Sequence, residues 1–217
     1  MTDLTARLRS TLPAAVVPPT FPTPEIGYAV HDTSVGRLLL ARRGDDGPVI
    51  ASLYLHEAAT GQGTADGHDT EETALTRIAR TTGPRILRRA AAFDEVRREL
   101  DSYLAGARHD FTVPLELSLA TAYQRVVLQT LGRRVPYGAR ASYGELAAWT
   151  DRPKAARAVG TALGANPLCI LLPCHRVVGA SGALTGYAGG LAAKRYLLDV
   201  EAARCTHVDV TSMPTFS

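Results

Sequence analysis

The 217-residue chain contains no apolar run of membrane-spanning length, and its N-terminus lacks the basic-then-apolar pattern of a secretory leader. A cytoplasmic protein with no membrane partner is expected. Cysteine is scarce, and all three residues, Cys169, Cys174 and Cys205, fall in the last quarter of the chain. An odd count, with two of them too close in sequence to build a framework, excludes a disulfide scaffold and points to reduced thiols. A cofactor loop is missing as well: Gly61-x-Gly63-x-x-x-Gly67 is not followed directly by an amphipathic helix and reads as a plain loop. His56-Glu57 begins a zinc-protease pattern that Thr60 breaks, because the second histidine is absent.

Charge is unevenly spread. Residues 1–112 carry 13 Lys+Arg against 15 Asp+Glu, whereas residues 113–217 carry 11 against 6. Between Arg133 and Arg176 the bases Arg133, Arg134, Arg140, Arg152, Lys154, Arg157 and Arg176 face only Glu145 and Asp151. A basic second half suits a polyanionic partner or, equally on charge alone, a solvated basic surface.

Residues 1–25 hold Pro13, Pro18, Pro19, Pro22 and Pro24 among small residues, the composition of a flexible extension. From Ile26 the pattern becomes sheet-like. Ile26 to His31 and Arg37 to Ala41, separated by Thr33-Ser-Val-Gly36, predict a hairpin, and Val49 to Leu55 predicts a third strand, giving a small antiparallel sheet. Helices are expected from Thr70 to Arg80 and from Ala91 to Leu104, the latter stopped by Gly106, and a further strand from Phe111 to Leu117. The second half is mainly helical. Ala122 to Leu131 shows helical spacing, Ser142-Tyr-Gly-Glu145 has the spacing of a capping box for a short helix through Trp149, and Pro153 suits the first turn of a helix running to Leu163. Two short helices joined by a tight turn beside positive charge suggest a helix-turn-helix.

The most informative stretch is Asn166-Pro-Leu-Cys-Ile-Leu-Leu-Pro-Cys-His-Arg-Val-Val178. Its apolar residues between Pro167 and Pro173 read as a short buried strand, after which Cys174 and His175 stand side by side. Alone, the pair is either an activated nucleophile with its base or an inert core thiol beside a turn histidine.

Together with Val135-Pro-Tyr-Gly138, Ser142-Tyr143, Lys154-Ala-Ala-Arg-Ala-Val-Gly160, Asn166-Pro167 and Gly186-Tyr-Ala-Gly-Gly-Leu191, the Pro173-Cys-His-Arg-Val177 run resembles the O6-alkylguanine-DNA alkyltransferases, also called methylated-DNA–protein-cysteine methyltransferases. The resemblance is near continuous from Tyr123 to Glu201 and weaker around Asp32 to Gly36. It implies an α/β (α+β) fold, with an N-terminal ribonuclease-H-like domain over residues 26–117, a C-terminal winged helix-turn-helix-like domain over 118–205, and a tail at 206–217. The implied activity is suicidal: the Cys174 thiolate takes the alkyl group from guanine O6 in a single turnover, without a cofactor. The implied partner is double-stranded DNA bearing O6-alkylguanine, bound by a monomer, with cooperative loading on DNA left open. Some members hold a structural zinc on N-terminal Cys and His; no cysteine precedes Cys169, so no metal is expected.

The resemblance also assigns roles. His175 is the proton acceptor, acting through a water because neighbouring side chains on extended chain point apart. Glu201 orients the imidazole. Its spacing from Leu191 and Leu198 puts it on an apolar helix face, while a frayed glutamate in solvent fits the spacing as well. Asn166 is the hinge between the recognition helix and the cysteine turn. Tyr143 meets the extruded guanine, and Arg157 fills the stack it leaves. Ala156 and the small residues around it let the helix approach the minor groove, with Lys154 beside it. Val177 through its backbone, Tyr187, Ala188 and Lys194 complete the pocket; as a surface residue Lys194 would by default serve solubility. Related proteins that only bind alkylguanine lack the acceptor cysteine, which argues against that reading here. Recruitment to protect against an alkylating metabolite is not separable by sequence.

Overall fold

The computed structural model describes residues 26–56 and 70–205. The proline-rich extension, the loop containing Gly61 to Gly67, Glu57 and the tail at 206–217 lie outside the described residues.

Strands β1 (Ile26–Thr33), β2 (Gly36–Arg43) and β3 (Val49–Leu55) form the expected antiparallel meander. Thr33 closes the first turn by donating its hydroxyl to Gly36 O at 2.6 Å, where Gly36 takes a φ of +126° that favours glycine. Helix α1 (Glu71–Thr82) starts on a reciprocal cap between Thr70 and Thr73. It leads to β4 (Ile86–Arg88), which lies parallel to β1. The sheet is therefore mixed, in the order β3-β2-β1-β4, rather than antiparallel throughout. Three residues ending in arginine carry too little alternation to announce a strand.

Both faces of this sheet are covered, which is why β2 reads Leu38-Leu-Leu-Ala41 without alternation. Leu39 and Ala41 pack with Ile50, Ala74 and Ile78 under α1. Leu38 and Leu40 pack on the other face against Val96, Leu100 and Tyr103 of α2 (Asp94–Leu104), and against residues from far along the chain. The first turn predicted for α2 is a separate 3-10 turn, Ala90–Phe93.

Residues 111–117 do not form the expected strand. Pro114 removes a donor, and only Leu115 bridges to Val49, through Val49 N–Pro114 O at 2.8 Å and Glu116 N–Val49 O at 2.9 Å. The same open edge of β3 receives a second segment: Ser52 N donates to Pro167 O at 2.7 Å and accepts at its carbonyl from Cys169 N at 2.9 Å. Two short bridges thus close an edge that would otherwise be unpaired.

In the second half, α3 (Ala122–Arg134) and α4 (Tyr143–Trp149) begin on capping boxes, Thr121 with Gln124 and Ser142 with Glu145. Helix α5 (Ala156–Gly164) starts three residues later than Pro153, because Asp151 takes a left-handed φ of +57° and the chain turns through Arg152 to Ala155 before it winds again. Leu128, Leu131, Leu146, Val159 and Leu163 form the core between these helices, together with Cys174 and Val177. A two-residue strand β5 (Ala141–Ser142) runs parallel to β6 (Val177–Val178). The last helix, α6 (Gly190–Cys205), buries Ala193, Lys194, Leu197, Leu198 and Glu201. Leu191 in its first turn is 48% exposed, so the buried face includes Leu198 and Glu201 but not Leu191. A mixed-sheet N-terminal domain and a helical C-terminal domain result. Among the described residues no helix is long and apolar enough to cross a membrane.

Residues 168–171 are buried as expected and Leu172 is half-buried, but the segment is a turn rather than a strand. Leu168 bridges Ser52, Cys169 bridges Leu172, Leu172 N donates to Leu168 O at 2.8 Å, and Ile170 sits at φ +69°. A β-branched residue in that region costs of order 1–3 kcal/mol and persists only when packing holds it. Leu168 supplies such packing between the sheet and the second half. Leu168→Ala is expected to lower unfolding free energy by about 2–4 kcal/mol in urea titration, whereas Leu191→Ala should change it by about 0.5 kcal/mol or less.

Candidate active site

The turn ends at Pro173, and Cys174 opens a single 3-10 turn, Cys174–Arg176, that leads into β6. Cys174 N donates to Leu172 O at 2.8 Å, which fixes the direction of the side chain. The thiol lies at the floor of a cavity of about 590 Å³ walled by Tyr143 from α4, Ala156, Arg157 and Gly160 from α5, and Tyr187 and Ala188 from the loop before α6.

Asn166 is buried and its side chain works in two directions. Its Oδ1 accepts from Leu168 N at 3.0 Å, while Nδ2 donates to Leu172 O at 3.1 Å and to Cys174 Sγ at 3.1 Å. Asn166, two residues past the end of α5, therefore holds both ends of the turn and the sulfur at once. A hydrogen bond from the Cys169 thiol holds the Cys174 thiol below its ordinary pKa against burial, with Asn166 and the Lys194 charge acting in the same direction.

His175 is fully buried, and its Nε2 lies 2.7 Å from Glu201 Oε1. Glu201 is buried too, and accepts from Arg176 Nε at 3.0 Å on each oxygen, from Gly138 N at 3.0 Å and from the Tyr103 hydroxyl. Burial pushes the Glu201 carboxyl up, but His175, Arg176 and Tyr103 outweigh it and hold the pKa at about 2. Burial holds the imidazole below its ordinary value against the pull of Glu201, so His175 is neutral at pH 7. An ionised carboxylate only accepts, so Nε2 carries the imidazole proton and Nδ1 presents a lone pair. That Nδ1 is buried and has no protein partner. The arrangement is a base with its second nitrogen already committed.

Arg176 is not part of a basic surface: it is 7% exposed, pairs with Glu201 and donates to Val135 O at 2.8 Å. Lys194 is likewise no surface residue. It is 0% exposed, and Nζ donates to Val177 O at 2.7 Å and Thr185 O at 2.8 Å. Val177 and Lys194 thus stand behind the cavity wall, whereas Tyr187 and Ala188 line it. Lys154 is exposed on the turn before α5 and outside the cavity lining. Thr185 Oγ1 donates to the Tyr143 hydroxyl at 3.0 Å, which leaves the phenolic proton of Tyr143 free.

Several contributors come from the N-terminal half and were not anticipated. Tyr103 of α2 touches both Glu201 and His175 Nε2, the latter at 3.2 Å. Tyr54 meets Tyr187 hydroxyl to hydroxyl at 3.3 Å, and His56 Nε2 lies 3.0 Å from Ala188 O. A Cβ at Gly189 would fall 2.5 Å from the Tyr54 ring, so only glycine lets the loop pass. One cue existed: Tyr103 lies on the apolar stripe with Val96 and Leu100, where a hydroxyl needs a partner. Among the described residues no group of three or more His, Cys, Asp or Glu side chains could hold a metal.

The family profile described as 6-O-methylguanine DNA methyltransferase, DNA binding domain, matches residues 122–203. A methylated-DNA–protein-cysteine methyltransferase of Mycobacterium tuberculosis is 42% identical over 179 residues, 82% of this chain and 94% of that protein. The Mycobacterium leprae counterpart is 43% identical over 153 residues, 69% of this chain and 89% of that protein. Among solved structures, the M. tuberculosis O6-methylguanine methyltransferase aligns with a TM-score of 0.64 at 36% identity over 82% of this chain and 94% of that one. A structure of the M. tuberculosis protein in complex with DNA aligns with a TM-score of 0.64 at 35% identity, over the same shares of each chain.

The charge on Glu201 ties the site to stability. Its folded pKa of about 2 lies below the ordinary 4.5, so the carboxylate contributes fully above pH 4.5 and loses its contribution as pH falls through 2. Glu201→Gln, which strands Arg176, is expected to cost about 3 kcal/mol at pH 7. In urea titrations the gap from wild type should narrow between pH 4.5 and 2.

Proposed function

Because the chain belongs to the methylated-DNA–protein-cysteine methyltransferase family, which repairs O6-methylguanine in DNA by irreversible methyl transfer to one of its own cysteines, we propose that Cys174 is the acceptor, His175 its base, and the cavity above them the receptor for an extruded guanine. The observation that carries this reading is the sulfur at the cavity floor, hydrogen-bonded by Asn166 at 3.1 Å, beside an imidazole whose Nε2 is committed to Glu201 at 2.7 Å.

A water relays the thiol proton to His175 Nδ1, and Glu201 stabilises the imidazolium that results. The Cys174 sulfur then attacks the alkyl carbon: an S–C bond forms as the C–O6 bond breaks, and the electron pair passes to the guanine. Tyr143, whose hydroxyl accepts from Thr185, donates its own proton toward the departing base and is reprotonated, through water, by the proton that His175 gives up. Overall the thiol proton replaces the alkyl group, and guanine leaves neutral. The thioether is stable, so the protein acts once.

Duplex DNA meets α5. Arg157 is exposed at the cavity rim, one turn from Gly160, and Ala156 beside it keeps the helix surface low. In this reading Arg157 occupies the gap left by the flipped nucleotide, which recovers part of the few kcal/mol spent on unstacking. Lys154, Arg152 and Arg140 are exposed and supply phosphate contacts, so binding weakens with salt. Every group in the scheme comes from one chain, so a monomer suffices per lesion.

Incubation with duplex DNA containing O6-methylguanine should add one methyl to the Cys174 peptide; an unmodified Cys174, or label on Cys169 or Cys205 alone, would sink the assignment. Arg157→Ala should slow duplex repair about tenfold while leaving reaction with free O6-benzylguanine nearly unchanged, since only the duplex requires flipping. Methylation should also lower the melting temperature, because a bulkier sulfur breaks the Asn166 hydrogen bond beneath a packed turn.

A further inference from the structure

The scheme above gives no task to Cys169, yet its thiol lies next to the reacting sulfur. Cys169 is 2% exposed, and its backbone is held on both sides, by the hydrogen bond to Ser52 O at 2.9 Å and by the bridge to Leu172. The two sulfur atoms gather around one residue. Asn166 Nδ2 donates to Cys174 Sγ at 3.1 Å, and Asn166 O accepts from Cys169 Sγ at 3.5 Å. Cys169 is also the leading influence that lowers the Cys174 pKa, which puts its thiol within reach of that sulfur. It therefore has one proton and two acceptors within reach.

We propose that Cys169 is a positioning residue for the reaction, turning its S–H from the Asn166 carbonyl to Cys174 Sγ when that sulfur becomes a thiolate. A charged acceptor draws a donor more strongly than a neutral carbonyl, so ionisation of Cys174 itself supplies the preference. The other groups facing the sulfur have partners of their own. Lys194 of α6 is tied to two carbonyls, the Tyr54 hydroxyl of β3 and the Tyr187 hydroxyl bond each other at 3.3 Å, and His175 directs Nε2 to Glu201. Tyr143 of α4, across the cavity, accepts from Thr185, and its own proton serves the departing base in the scheme above. A buried thiolate without donors would be costly, and Asn166 supplies one from its amide. Cys169 supplies the second, and the lowered Cys174 pKa accords with this. The positioning role extends the acceptor assignment of Cys174 and rests on it.

The test follows the rate of alkylation of the full chain by free O6-benzylguanine against pH, with the product mapped by peptide mass. In Cys169→Ala the rising limb is expected to move to higher pH by about one unit, so that the rate is about tenfold lower below it and equal to wild type on the alkaline plateau. Cys169→Val fills the space without a donor, should shift alike, and serves where the alanine variant does not fold. Cys169→Ser restores a donor and should return the limb toward wild type. A non-donor profile that coincides with wild type, a rate lowered equally at every pH, or a serine variant that behaves like alanine would each overturn the proposal. Wild-type label on a residue other than Cys174 would overturn the acceptor assignment itself, an outcome distinct from an unmoved profile.

Discussion

The buried carboxylate of Glu201 is the constraint around which the molecule closes. An anion 1% exposed cannot persist without donors, and here they arrive from every side: Arg176 and His175 from the cysteine turn, Gly138 from the loop before β5, Tyr103 from the N-terminal half. Each donor is thereby fixed relative to the others. Satisfying one charge sets the tautomer of the base, seats the turn that carries the nucleophile, and docks α2 against α6. Arg176 neutralises the carboxylate, which allows His175 to remain neutral and so retain a lone pair for the thiol proton. Were His175 the only counter-charge, burial beside Glu201 would favour imidazolium and remove the base.

A second constraint acts through Asn166. The turn at residues 168–172 is largely buried, and its backbone groups cannot all find ladder partners because it is not a strand. Asn166 provides both a donor and an acceptor for it, at Leu172 O and Leu168 N, and the Ser52 carbonyl of β3 accepts from Cys169 N. The left-handed Ile170 is the cost of reversing the chain in so few residues. What results is a nucleophile attached by five residues to a sheet edge and by one side chain to α5, the helix that the proposed scheme lays against DNA.

Local rules were readable from the chain; long-range ones were not. The three-stranded meander and the Ser142-Glu145 box appeared as expected because hairpin and cap chemistry are settled within a few residues. The turn at 168–172 was mistaken for a strand because a proline-bounded apolar run looks alike in both, and the deciding hydrogen bonds come from Ser52, over a hundred residues away in sequence. Arg176 and Lys194 looked like surface cations for the same reason. Their acceptors are a distant carboxylate and carbonyls of an irregular loop, and neither leaves a mark on spacing. Glu201 could be placed on a helix face that fitted both burial and solvent; only the Arg176 and Tyr103 partners decide for burial. The cluster Cys174, His175, Glu201 and Asn166 is brought together in space, while Val177 and Lys194 form the support behind the cavity rather than its lining.

The N-terminal domain contributes no nucleophile or base, yet it shapes the cavity more than its distance in sequence suggests. Tyr54 and His56, at the end of β3, hold the loop of Tyr187 and Ala188, and Gly189 is glycine because the Tyr54 ring occupies the space of a side chain. Such a rigid wall would be a liability in an enzyme that must release product from the acceptor at every cycle. A protein that reacts once has no such step: the alkyl group stays on sulfur, and only the repaired base has to leave. Burial of the thiol, a tightly packed turn and a wall braced from another domain are then all compatible with function, because the site has to be correct for a single encounter and need not recover from it.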